Sequence, residues 1–136
     1  MSWDVSLYRF SKRYASPDDI PNDESPLPLG TLSGVQSAIS RVFSGTDWSD
    51  PIWGIYDGKG GSIEFNVGRD DPVENLALHV RGTDELVGGI LALCEALHCQ
   101  AIDSVDSSFL DQSENPSAGL ETWRSYLSAV VGGTGV

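Results

Sequence analysis

Along much of the chain, apolar and polar side chains alternate one for one, and that period of two predicts strands. "SWDVSLY" sets Trp3, Val5 and Leu7 against Asp4, Ser6 and Tyr8. "SIEFNVGRDDPVENLALHVRG", residues 62–82, alternates twice around an acidic loop that contains a proline. Ile63, Phe65, Val67, Leu76, Leu78 and Val80 form the apolar set, and Glu64, Asn66, His79 and Arg81 the polar one. "PIWGIYDGKGGSIEF" predicts a further hairpin turned by "DGKGG", with Trp53 and Ile55 expected to face inward. The glycine run joins two strands and lacks the Lys-Ser/Thr ending and following helix of a phosphate loop. "QAIDSV", beginning at Gln100, adds a weaker strand.

Between these strands the period lengthens to that of a helix. Thr31 or Ser33 can cap a helix to about Phe43, with Val35, Ile39 and Val42 on one side and Ser44-Gly45 ending it. A second helix, about Asp84 to Leu97, carries the stripe Val87, Ile90, Leu91, Cys94 and Leu97. Its Gly88 and Gly89 cost roughly 1 kcal/mol each relative to Ala, a cost that close packing against a neighbour would offset. A third helix follows Ser117, with Leu120, Trp123, Leu127 and Val130 on one stripe. Prolines among acids in residues 16–30 predict an extended surface loop, and residues 132–136 a flexible tail.

The order β-α-β-β-β-α-β-α predicts one α+β domain over residues 1–136 with a mainly antiparallel five-stranded sheet. Five strands spaced at about 4.8 Å make a sheet roughly 24 Å wide. Two helices about 8–10 Å apart nearly cover one face of it. The third helix must then sit at an edge, cross to the far face, or meet another copy.

Charge narrows the classes of partner. Twenty acidic residues against eight basic ones leave a net charge of −12, which repels nucleic acid and anionic membrane. The basic cluster Arg9-Lys12-Arg13 is too short to reverse that, whereas a basic protein partner would be attracted. No stretch has the length of a signal peptide or a membrane span. Cys94 and Cys99, five residues apart, suggest reduced thiols, so a cytoplasmic location is expected.

The start "MSWD", the segment "DPIWG", the core "EFNVG" with "DDPV", and the strand end "LHVRG" together resemble a family of small, acidic, uncharacterised bacterial proteins. These motifs lie within residues 1–4 and 50–82 of the chain. The resemblance implies a free-standing bacterial domain and supports the strand assignments. It carries over no catalytic residues, because the family has none assigned.

Pairing the 62–82 hairpin so that both apolar sets share a face puts Glu64 opposite Arg81 and Asn66 opposite His79. Asp4, Ser6, Tyr8 and Tyr56 are expected to join them from neighbouring strands. An exposed cross-strand ion pair contributes about 0.2–1 kcal/mol, whereas burying unpartnered charges costs several kcal/mol. The face is therefore expected to meet water or a complementary surface. Tyr56, Glu64, Asn66, His79 and Arg81 are the candidate binding residues, since Tyr and Arg favour interfaces.

Other constellations are less specific. Cys94 and His98 share a helical face, but a structural zinc site takes four ligands and no second Cys/His pair exists. Cys94 on the apolar stripe reads as a small hydrophobe. Asp70, Asp71 and Glu74 lack calcium-loop spacing, so no metal or cofactor is expected. Trp48 is expected to cover the sheet edge. The leading expectation is a non-catalytic protein-binding module for a basic partner, of an immunity or toxin-neutralising type. The alternatives are a small enzyme using Glu64, His79 and Arg81 on the open face, and a homodimer burying that face or the last helix.

Overall fold

In the computed structural model, which describes residues 2–134 and the side chains of residues 2–126, the first strand β1 (Trp3–Tyr8) leads through the long acidic loop to α1 (Leu32–Val42). Four strands follow: β2 (Asp47–Asp50), β3 (Trp53–Gly58), β4 (Gly61–Asn66) and β5 (Asn75–Gly82). The chain continues through α2 (Glu85–Leu97), β6 (Gln100–Asp103) and α3 (Ala118–Thr134). The α+β class and the antiparallel sheet agree with expectation. The sheet, however, has six strands rather than five, in the order β2-β3-β4-β5-β1-β6. The added strand is "DWSD", an edge strand in which only Trp48 turns away from solvent, so it lacks the alternation that marks a strand.

Helices α1 and α2 share one face of the sheet. The Thr31 hydroxyl accepts the Gly34 N–H at 3.0 Å and starts α1, and the Asp71 carboxylate takes the Leu32 N–H at 3.0 Å. That acid of the 70–74 loop thus serves the helix start. Beneath the two helices lie Phe65, Val67, Leu78 and Val80, all buried with Val35, Ile39, Ile90 and Cys94. Gly89 meets Phe43 of the α1 end so closely that a Cβ there would lie 2.6 Å from its ring. Gly88 faces open space.

The alternation of β3 runs opposite to expectation. Trp53 and Ile55 point to the far face, 36 % and 50 % exposed, while Gly54 and Tyr56 face the helices. Two inward contacts set this phase. The Trp48 indole lies flat on Gly54, where a Cβ would come within 2.6 Å of the ring. Tyr56 packs edge-on against Phe43, ring centroids 5.1 Å apart. Trp48 also donates its indole N–H to the Ser40 hydroxyl at 2.9 Å, and so covers the sheet edge from the helix side.

The acidic loop is mostly exposed, but it is tied down at both ends. Leu27 bonds to Arg9, Leu29 to Val73, and buried Gln100 accepts the Tyr14 N–H while donating to its carbonyl. Helix α3 runs on through Thr134, past the start of the tail expected at residue 132; residues 135–136 lie outside the described residues. Leu120 is buried in the core and Trp123 packs partly against it; the side chains of Leu127 and Val130 lie outside the described residues. At its start, Gly119 abuts Asp103, which is buried and accepts the Trp3 indole N–H at 2.9 Å.

Candidate functional site

The face of the sheet opposite α1 and α2 holds the polar set of the 62–82 hairpin, as expected, but in a different register. Glu64 pairs with His79, Ser62 with Arg81, and Asn66 with Ala77. The pairing is two residues away from the one that placed Glu64 against Arg81. A two-residue shift keeps every side chain on its face, so the polar surface survives. The Glu64–Arg81 ion pair survives too, reaching diagonally across the strands at 3.2 Å.

His79 sits at the centre of this surface. Its Nδ1 lies 2.9 Å from the Asp4 carboxylate on β1, directly opposite it. Glu64 flanks it on β4. The Trp53 indole, reaching over from β3, stacks on the imidazole with centroids 5.9 Å apart and planes 27° apart. Burial would raise the Asp4 pKa, but the Ser2 hydroxyl at 2.5 Å and His79 outweigh it and hold the carboxyl below its ordinary value. The carboxylate is therefore ionised at neutral pH, and the Asp4–His79 contact is charge-assisted on the acid's side.

Of the predicted site residues, Glu64, Asn66, His79 and Arg81 do share the open face. Asn66 turns its side chain back to accept the Gly68 N–H at 3.1 Å, which spends that oxygen on the strand end. Tyr56 does not belong to the face. The strand phase puts it on the helix side against Phe43. In its place come Trp53 and Ile55, two large apolar side chains that the alternation seemed to assign to the core. Asp47 opposite Ile55 and Asp57 opposite Ser62 add acids to the same surface. The face thus has an aromatic and aliphatic pair, Trp53 and Ile55, on β3. It also carries the carboxylates Asp4, Asp47, Asp57 and Glu64, with His79 and Arg81 among them.

His79 lies on this strand surface with its side chain 30 % exposed, flanked by Asp4, Glu64 and the Trp53 indole. Arg81, at the end of β5, also lines a cleft of about 800 Å³ that runs toward Glu121, Trp123 and Arg124 of α3.

The two cysteines are placed by the end of α2. His98 takes the left-handed conformation (φ 53°), its N–H bonds to the Glu95 carbonyl at 3.3 Å, and the Cys99 N–H to that of Cys94 at 2.9 Å. This Schellman arrangement sets the last residue beside the one five positions earlier. Both thiols are free and buried. A hydrogen bond to Cys99 and burial push the Cys94 thiol far above its ordinary pKa. His98 points away on the surface. Among the described residues, no group of three or more His, Cys, Asp or Glu side chains is placed to hold a metal ion. No helix among them is long and apolar enough to cross a membrane.

Comparison with protein-family models, curated proteins and solved structures found no match.

Proposed function

We propose that the chain is a non-catalytic protein-binding module whose working surface is the open face of the sheet. One observation carries this reading: Trp53 and Ile55 stand exposed on β3, with the Asp4–His79 and Glu64–Arg81 contacts beside them on β4, β5 and β1 of the same face. Exposed large apolar groups bordered by charged ones are the composition of a recognition surface. An imidazole between two carboxylates also suits acid–base chemistry, but such chemistry needs a concave site that excludes water. The cleft that Arg81 lines includes neither His79 nor Glu64, and both of those side chains are reached by water.

The partner is basic. Four carboxylates border the face against one arginine and one histidine, and the whole chain carries −12. Two copies at that charge repel each other, so a different, cationic protein suits the face better than a second copy. Neutralisation of a basic toxin is the role that fits such a partner, and the adjacent free thiols Cys94 and Cys99 suit a reducing cytoplasm.

A photo-crosslinking residue placed at Ile55, and in a separate variant at Gly88 on the opposite side, tests this reading in cells. Position 55 should trap one basic protein, with a yield that falls as salt is raised, and position 88 should not. Equal trapping from both positions, or an acidic species at position 55, overturns it.

A further inference from the structure

At the end of β1 the acidic surface is interrupted. A cleft of about 400 Å³ there is lined by Arg9, Lys12, Arg13, His98, Phe10 and Gln100, among others. Three of the eight Lys and Arg residues of the chain and one of its two histidines thus meet in one concavity. They come from two elements, the strand-to-loop turn after β1 and the left-handed end of α2, so the chain converges on the cleft from separate directions.

The carboxylates near the cleft are occupied. Asp111 pairs with Arg13 at 2.5 Å and also accepts from Gln100 at 3.1 Å. Glu24 accepts the Ser11 N–H and hydroxyl and the Tyr14 hydroxyl. Lys12 is near enough to contribute to the lowered pKa of Glu24, but forms no ion pair with it, and lies 5.3 Å over the Tyr14 ring. Arg9 makes one long bond, 3.3 Å, to the Pro28 carbonyl. Among the described residues, Arg9, Lys12 and His98 have no carboxylate partner.

We propose that this cleft binds the phosphate group of a small phosphorylated molecule. A planar carboxylate is satisfied by one arginine fork. Three separate donors, two of them the cationic side chains of Arg9 and Lys12, match instead the three oxygens and double charge of a phosphate monoester. His98 offers an N–H in either protonation state. The volume lies at the small end of the range of about 300–1,000 Å³ typical of ligand sites. Phe10, stacked on Tyr8 at 5.9 Å, provides an apolar wall for the rest of the molecule. The overall negative charge does not forbid this, because acids more than about 8 Å away are largely screened at physiological salt. It does disfavour a polyanion, whose further phosphates would lie over the surface of a chain carrying −12.

The test is an amide NMR titration of the full chain with inorganic phosphate and with phosphoserine, at ionic strength held constant with sodium chloride, and with serine as control. Both phosphates should give saturable shifts at residues 9–13 and 98–100, with phosphoserine at least fivefold tighter, and serine should give none. The double variant Arg9→Gln/Lys12→Gln should weaken both at least tenfold while its spectrum stays folded. Shifts that never saturate, or that centre elsewhere, overturn the proposal from the unmodified protein alone. Tighter binding of a short DNA duplex than of phosphoserine would overturn the small-molecule assignment.

Discussion

The Trp53 indole and the His79 imidazole stack across the intervening strand β4, their centroids 5.9 Å apart and their planes within 27°. The contact joins the exposed apolar pair on β3 to the charged residues of β4, β5 and β1. Such a ring pair contributes about 0.5–1.5 kcal/mol beyond buried area, and Trp53 remains 36 % exposed. Trp53→Ala should therefore lower stability by about 2–3 kcal/mol, the ring contact and the covered part of the indole together. Truncating a central aromatic anchor of a recognition surface costs at least about 2 kcal/mol of affinity. Denaturant titration beside affinity for the crosslinked partner should separate the two. A variant that loses stability but keeps affinity would remove Trp53 from the interface.

Adjacent glycines in α2 offer an internal comparison. Gly88 faces open space, whereas a Cβ on Gly89 would enter the Phe43 ring. Gly88→Ala should stabilise the protein by about 0.5–1 kcal/mol through helix propensity and a less flexible unfolded chain. Gly89→Ala should destabilise it by about 1–3 kcal/mol, since overpacking forces the α1–α2 contact apart. Urea midpoints of the pair check this. Equal effects in the two variants would show that the helices do not approach each other as described.

The inner face of the sheet was legible because strict alternation in residues 3–8 and 62–82 leaves only one way to bury Trp3, Phe65 and Leu78. The helices were legible from their stripes and from Thr31. Register was not. Alternation is blind to a shift of two residues, and the loop between β4 and β5 is too long to set it, so Glu64 met His79 rather than Arg81. The phase of β3 was misread for a different reason. Trp53 and Ile55 are more hydrophobic than Gly54 and Tyr56, but the Trp48 ring needs the bare surface of Gly54, a demand made from another strand. That one inversion removed Tyr56 from the candidate site and hid Trp53 and Ile55. A glycine between two large apolar residues was the available signal, and it points to a close neighbour only once the neighbour is known. Strand β2 left almost no signal, since three of its four residues face solvent.

The Glu64–Arg81 pair distinguishes solvation from recognition. Both side chains are about two-fifths exposed, and pairs of that kind contribute about 0.2–1 kcal/mol to stability. Arg81→Ala should thus cost under about 1 kcal/mol in thermal or denaturant unfolding. Glu64→Lys should slow association with a basic partner, and added salt should slow the unmodified protein in the same way. Association rates measured across a salt series check this. A rate indifferent to salt would mean that the charged rim does not steer the encounter.

Asp103 gives stability a pH dependence of its own. Burial pushes its carboxyl above the ordinary range, the Asp106 charge adds to that, and the Trp3 and Val105 N–H bonds oppose them without prevailing. A carboxyl whose pKa is higher folded than unfolded holds its proton more tightly in the native state. Its favourable contribution is complete below the unfolded value of about 3.9 and is lost as pH rises through the folded value. Both bonds, from Trp3 at 2.9 Å and Val105 at 2.8 Å, end on Oδ1, and an asparagine oxygen can accept them without a charge. Asp103→Asn should therefore gain on the unmodified protein as pH rises above the unfolded value of about 3.9, and level off once pH has passed the folded value. Asp103→Ala should lose about 1–3 kcal/mol near pH 4, because it strands a buried indole N–H and a backbone N–H, and that deficit should narrow as pH rises. Unfolding free energies of the three proteins across that range decide the matter. An asparagine variant that runs parallel to the unmodified protein would show that Asp103 titrates alike folded and unfolded, and that the junction of Trp3, Asp103 and Gly119 is open to water.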